Sequence, residues 1–390
     1  MNKVSHRATE IQNFLKAHED EMRQFLQDLV AMETPSHKIE AQHIILEVLR
    51  ERFEALGFYA VHFPGKKTGG YLYARPTDRD KSLPIQLLIG HCDTVWPAGT
   101  LEEMPLSYEK GKIKGPGVYD MKAGLTQIFY ALAAIRSMPL PVSVEPVVVI
   151  NSDEEIGSWE STGIIKRLSR IANRAFILEP PLGLDGKLKT ARKGIGRFTI
   201  TVKGKAAHAG LDPTKGINAI VELSHQVQEL FAMNDHERGI TVNVGTIEGG
   251  ISPNTVAPMS KAVVDVRVLS EKDGDFITEK IRNLKPQLDD VQLNVEGGIG
   301  RPPMEKTPRN QELWRIARFQ GKQLGLNLEQ ATAGGGSDAN TTSLYTASLD
   351  GLGTPGDGAH ALPEFIFEKN LLERTALLTL LLLTEPINGA

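Results

Sequence analysis

An apolar strand-like run at 85–89 stops at Gly90-His91-Cys92-Asp93-Thr94-Val95 and ends by presenting an imidazole and a carboxylate. Residues i and i+2 of an extended segment share a side, so His91 and Asp93 can act together while Cys92 faces away. The same grammar recurs at Gly115-Pro116-Gly117-Val118-Tyr119-Asp120, at Asn151-Ser152-Asp153-Glu154-Glu155 after the apolar 147–150, at Leu178-Glu179-Pro180 and at Gly358-Ala359-His360. A single histidine at a strand end is commonly just solvated, and Asp153-Glu154-Glu155 alone looks like an acidic turn. Repetition changes the reading. In an α/β sheet, loops at the carboxyl ends of strands aim side chains into one crevice, and five such ends point to one site.

Composition bounds what surrounds that site. At 390 residues, with 41% hydrophobic and 24% charged, the chain suits a globular protein of more than one domain. A formal charge of −4 with no basic face argues against nucleic acid as a partner. The start, residues 1–20, is polar, and no uninterrupted apolar segment reaches spanning length, so no membrane association and a cytoplasmic location are expected. The lone Cys92 excludes an intrachain disulfide, and a metal site here must use nitrogen and oxygen ligands.

Helical periods at 9–32 and 39–56, the second closed by Gly57, precede strands at 58–63, 71–75 and 85–89, a helix at 123–137 and a fully buried strand at 144–150. This predicts an α/β fold with a mostly parallel sheet and helices on both faces. Beyond Arg192 the pattern changes to strand 197–202, helix 217–233, strands 241–248 and 260–269, helix 276–288 and strand 291–295. That βαββαβ order is the ferredoxin-like split unit. The expected domains are therefore 1–191, an inserted α+β domain at 192–303, and 304–390. The last segment carries a helix at 311–324, the loop Gly334-Gly335-Gly336-Ser337-Asp338, His360, and a leucine-rich helix near 371–383 that is too short for a membrane and reads as core.

Taken in order, His91-x-Asp93, Gly115-Pro116-Gly117-x-x-Asp120-Met121-Lys122-x-Gly124, Asp153-Glu154-Glu155-x-Gly157-Ser158, Glu179-Pro180 and His360 resemble the di-zinc metallopeptidases. That family contains glutamate carboxypeptidases, peptidase T, aminoacylases and succinyl-diaminopimelate desuccinylase, and the likeness is strongest to the glutamate carboxypeptidase branch. It spans nearly the whole chain; the motifs are specific for the family and less so for substrate. The resemblance implies a zinc-exopeptidase-like catalytic domain with an inserted lid and dimerisation domain. It implies two Zn2+ per subunit, with Co2+ or Mn2+ suited to the same donors. His91, Asp120 and Glu179 would hold one cation, and the shared Asp120 with Glu155 and His360 the other. Asp93 would orient His91, Glu154 would be the general base, and the Asp120-Met121 peptide would be cis.

The resemblance also assigns substrate groups. His208, in Gly204-Lys205-Ala206-Ala207-His208-Ala209-Gly210, matches a lid histidine that stabilises the oxyanion in the partner subunit's site, so a homodimer through the inserted domain is expected. Arg267 matches an arginine that grips the α-carboxylate of the released residue, and Asn254 a neighbouring polar contact. Lys187 falls where a lysine meets a glutamate side chain, although a solvated loop lysine reads the same way. Gly335 and Gly336 would line the leaving-residue side. The expected function is release of a C-terminal amino acid, glutamate first, from small peptide or N-acyl-amino-acid substrates, without a covalent intermediate. An N-acyl-amino-acid deacylase or dipeptidase is the alternative. An inactive binding protein would show a gap among the five ligands or a missing Glu154, and neither gap is present.

Overall fold

A computed structural model describes residues 6–138 and 140–387. The chain divides into two compact units: Met1–Thr190 with Lys306–Thr332 and Ser337–Ala390, and Ala191–Glu305 with Ala333–Gly336. The outer ends of the expected first and last segments, residues 1–5 and 388–390, lie outside the described residues. The glycines 334–336 cluster with the inserted unit.

The first unit is built on a six-stranded sheet in the order Phe58–Phe63, Tyr71–Pro76, Glu145–Asn151, Ile85–His91, Ala172–Ile177, Ala347–Leu349. The second strand pairs antiparallel with both the first and the third; the other three pairings are parallel. Ile85–His91 and Glu145–Asn151 are buried at every position, whereas Tyr71–Pro76 alternates. Strands covered on both faces read as continuous apolar runs, which is why the central pair is so visible in the sequence. Register does the placing. His91 sits beside Asn151, so its loop emerges next to the 152–155 turn, and Ile89 pairs with Ile177, two residues before Glu179.

The helix Ala123–Ser137 packs on Glu368–Leu382, whose Leu371, Leu377, Leu378 and Leu381 are buried. The leucine-rich segment is therefore core, and among the described residues no helix is long and apolar enough to cross a membrane. The single helix expected at 9–32 is instead two, His6–Ala17 and Glu19–Ala31. His18 divides them, its Nδ1 donating to the Phe14 carbonyl at 2.8 Å. The apolar stripe of Ile11, Leu15, Met22, Phe25 and Leu29 runs on through the break, so periodicity alone passes over it.

In the inserted unit, Gly194–Lys203, Thr241–Gly249, Met259–Val268 and Gln292–Arg301 form an antiparallel sheet in the order second, third, first, fourth. With helices Ala219–Ala232 and Glu271–Arg282 this is the split βαβ arrangement, closed over its own core of Phe198, Ile200, Val264, Val266, Ile277 and Ile281. The second helix starts at Glu271, ahead of the expected 276. Ser270 caps it, its Oγ accepting the Asp273 N–H at 3.0 Å and donating to the Asp273 carboxylate at 2.7 Å.

Candidate metal centre

His91 is the last residue of its strand, and its ring is buried. Nδ1 donates to the Asp93 carbonyl oxygen at 2.9 Å, which leaves Nε2 facing Asp120 Oδ1 at 3.2 Å and Glu179 Oε1 at 3.5 Å. Asp120 follows the left-handed Gly117 (φ 73°), and the Asp120-Met121 peptide is cis. Its second oxygen, Oδ2, lies 3.6 Å from His360 Nε2, which in turn is 3.1 Å from Glu155 Oε2. Two ligand triplets thus share one carboxylate: His91, Asp120 and Glu179, and Asp120, Glu155 and His360, each with ligand atoms within 4.8 Å.

The electrostatics are those of a cage built for cations. Burial disfavours a charged His91, but Asp120, Asp93 and Glu179 overcome it and raise its pKa well above the ordinary value. Burial also works to raise Asp120, yet the bond and charge of His91 hold its carboxyl below the usual range. Glu155 is pushed up to about 7, first by burial and further by Asp120, with His360 opposing. His360 is raised to about 9, chiefly by its bond to Glu155. One buried oxygen, Glu155 Oε1, has no hydrogen-bond partner among the described residues. Such an atom is costly unless it faces a cation, so the donor set fits a pair of divalent metals. The neighbouring Cys92 takes no part: it is buried, and burial drives its thiol pKa upward.

Asp93 acts on more than His91. Its Oδ1 is 3.4 Å from His91 Nδ1, farther than its own carbonyl. The carboxylate instead accepts Ser36 Oγ at 2.7 Å and the backbone N–H groups of Glu154 and Glu155, each at 3.2 Å. The expected histidine orienter is therefore also the brace of the acidic turn. Asp153 turns the other way and accepts the N–H of Glu160 (2.7 Å) and Ser161 Oγ (2.5 Å). Consecutive residues at a strand end diverge, so Asp153 points away from the cluster that contains Glu155.

The cations expected to meet substrate are all engaged within the chain. Lys187 Nζ pairs with Glu329 at 2.9 Å, on the surface. Both prongs of Arg267 are held by Asp265, at 2.8 and 3.1 Å. In the inserted unit, Nδ1 of the exposed His208 accepts from Gly210 N (3.1 Å) and Leu211 N (3.2 Å), which places the proton of the neutral ring on Nε2. The Asn254 carbonyl accepts the Ala209 N–H at 2.9 Å, so His208 and Asn254 share one loop pair. The carbonyls of Gly335 and Gly336 accept Arg192 Nη1 at 3.1 and 2.8 Å.

Two residues escaped the sequence reasoning. Ser36 carried no signal beyond its type. Glu364 is a buried acid four residues after His360, flanked by Pro363 and Phe365, and its carboxylate accepts N–H donors from the Asp120 loop. An acid inside an apolar stretch was the available clue.

Residues 190–288 match the family described as "Peptidase dimerisation domain". Carboxypeptidase G2 of Pseudomonas sp. (strain RS-16) is 30% identical over 280 residues, 70% of this chain and 67% of that protein. Succinyl-diaminopimelate desuccinylase of Delftia acidovorans is 24% identical, over 85% of this chain and 91% of its own. Among solved structures, aminopeptidase PepT from Bacillus cereus superposes with a TM-score of 0.77 at 20% identity, covering 93% of this chain and 98% of that one. A Bacillus subtilis protein described as a dinuclear metal-binding peptidase of the M20 family gives 0.71 at 14% identity, covering 94% and 98%.

Proposed function

Because the chain belongs to the M20 metallopeptidase family and is a hydrolase of that kind, we propose that it is a two-metal exopeptidase releasing a C-terminal amino acid, glutamate first, from N-acyl or peptidyl substrates. The observation that carries the two-metal reading is the divided Asp120 carboxylate, one oxygen toward His91, the other toward His360. His91, Asp120 and Glu179 would hold one cation, and Asp120, Glu155 and His360 the second; Zn2+ is preferred, and Co2+ or Mn2+ suits the same donors. When bound, such ions polarise an amide carbonyl and acidify water.

The remaining work falls to the chain. Glu154, on the turn braced by Asp93, would take the proton of the attacking water and deliver it to the leaving nitrogen. His208, with its proton on Nε2, would donate to the developing oxyanion in a partner subunit's site, and the inserted unit would be the dimer contact. Arg267 offers a planar fork to the α-carboxylate, exchanging Asp265 for substrate, with Asn254 beside it. Lys187 would meet a glutamate side chain, and Gly335 and Gly336 would border the leaving residue.

The pairing of Lys187 with Glu329 favours a second reading, an N-acyl-amino-acid deacylase or dipeptidase without preference for an acidic residue. Parallel assays with folyl-glutamate, N-acetyl amino acids and dipeptides separate the two. Turnover confined to non-acidic leaving residues would exclude glutamate.

A further inference from the structure

We propose that Glu364 is a positioning residue that sets the second metal group by locking the backbone bearing Asp120 to the loop bearing His360. The proposal rests on the two-metal reading. Glu364 Oε1 accepts the N–H of Tyr119 (2.7 Å) and Asp120 (2.9 Å), while Oε2 accepts the N–H of Gly117 (2.7 Å) and Trp96 Nε1 (2.5 Å). Four donors fill the accepting capacity of one carboxylate. The backbone follows suit, the Glu364 carbonyl accepting the Gly115 N–H at 3.2 Å.

His360 needs such an anchor. Its side chain is 54% exposed, and its backbone holds a left-handed φ of 60° without being glycine, so its own surroundings fix it weakly. The loop between it and Glu364 is tight: a Cβ on Gly358 would lie 2.3 Å from the Pro363 carbonyl oxygen. Movement at Glu364 therefore passes to His360 through a short, closed turn. His91 and Glu179 stand on other strand ends, held by the central sheet. Only the Asp120, Glu155 and His360 group depends on this lock at both of its ends.

The test is titration of metal-free protein with Co2+, followed by visible absorption and by competition with a chromophoric chelator, in wild type, Glu364→Gln and Trp96→Phe. In Glu364→Gln an amide NH2 faces N–H donors, and in Trp96→Phe one donor is lost. Glu364→Gln should weaken one equivalent about 10- to 100-fold and leave the other within a fewfold, the range typical of groups that orient metal ligands. Trp96→Phe should weaken the same equivalent by less. At saturating metal, kcat should recover with KM unchanged throughout. Equal weakening of both equivalents, or none, would overturn the proposal. Should Glu364→Gln fail to fold, an unaltered Trp96→Phe titration overturns it as well. A wild type that takes up fewer than two equivalents would sink the two-metal reading instead, a distinguishable result.

Discussion

The Asp93 carboxylate accepts the backbone N–H of Glu155 at 3.2 Å across 62 positions of sequence. The residue two positions after His91 thus fixes the chain that carries Glu155, a member of the other candidate triplet, and the Glu154 N–H is held by the same carboxylate. Asp93→Ala removes that brace and takes the acceptor away from three donors, the two N–H groups and Ser36 Oγ. We expect kcat to fall about 10- to 100-fold with KM nearly constant, because the base and a ligand lose their aim together. Steady-state kinetics with metal analysis checks this; a pure KM effect would assign Asp93 to substrate.

Glu154→Gln keeps size and shape while removing the proton acceptor. Turnover should drop by about two to four orders of magnitude, with metal content unchanged. Retained turnover would take Glu154 out of the mechanism.

Metal uptake should displace protons. His360 holds its proton up to about pH 9 in the metal-free chain, and His91 is raised well above the ordinary value, so cations must compete with protons for both rings. Affinity falls as pH drops, and calorimetric heats should vary with the ionisation enthalpy of the buffer. Chelation should abolish activity, with Zn2+, Co2+ or Mn2+ restoring it. Heats independent of buffer would contradict the imidazole ligation.

His208→Ala should cost about 10²- to 10³-fold in kcat at constant metal content. Mixing it with Glu154→Gln and allowing subunits to exchange should restore part of the activity, since one site of each hybrid then owns both groups. No recovery would place His208 outside the partner's site.

Substrate choice should separate two arginine and lysine roles. Arg267→Ala should raise KM for every substrate with a free α-carboxylate, whereas Lys187→Ala should raise it only where glutamate is released. Equal behaviour of glutamate and alanine substrates in Lys187→Ala would favour the deacylase or dipeptidase reading.

The sequence made His91 and the 153–155 acids visible because they follow strands buried at every position, and such strands are written as mostly apolar runs that end abruptly in polar residues. The inserted unit was legible for a related reason: its alternating strands and capped helices repeat a known order. What stayed hidden is relational. His18 breaks a helix without glycine or proline, and the engagement of Arg267 by Asp265 depends on rotamers rather than on spacing. Glu364 meets its donors across more than two hundred positions, and no local pattern encodes which backbone N–H groups a distant acid will collect.

The inserted unit, residues 191–305, lies upstream of both the edge strand Ala347–Leu349 and His360. A nascent chain can finish that unit while the larger sheet still lacks its border and the second cation group its imidazole, since domains fold in the order in which they leave the ribosome. Hydrolytic competence is then among the last properties the newborn protein acquires.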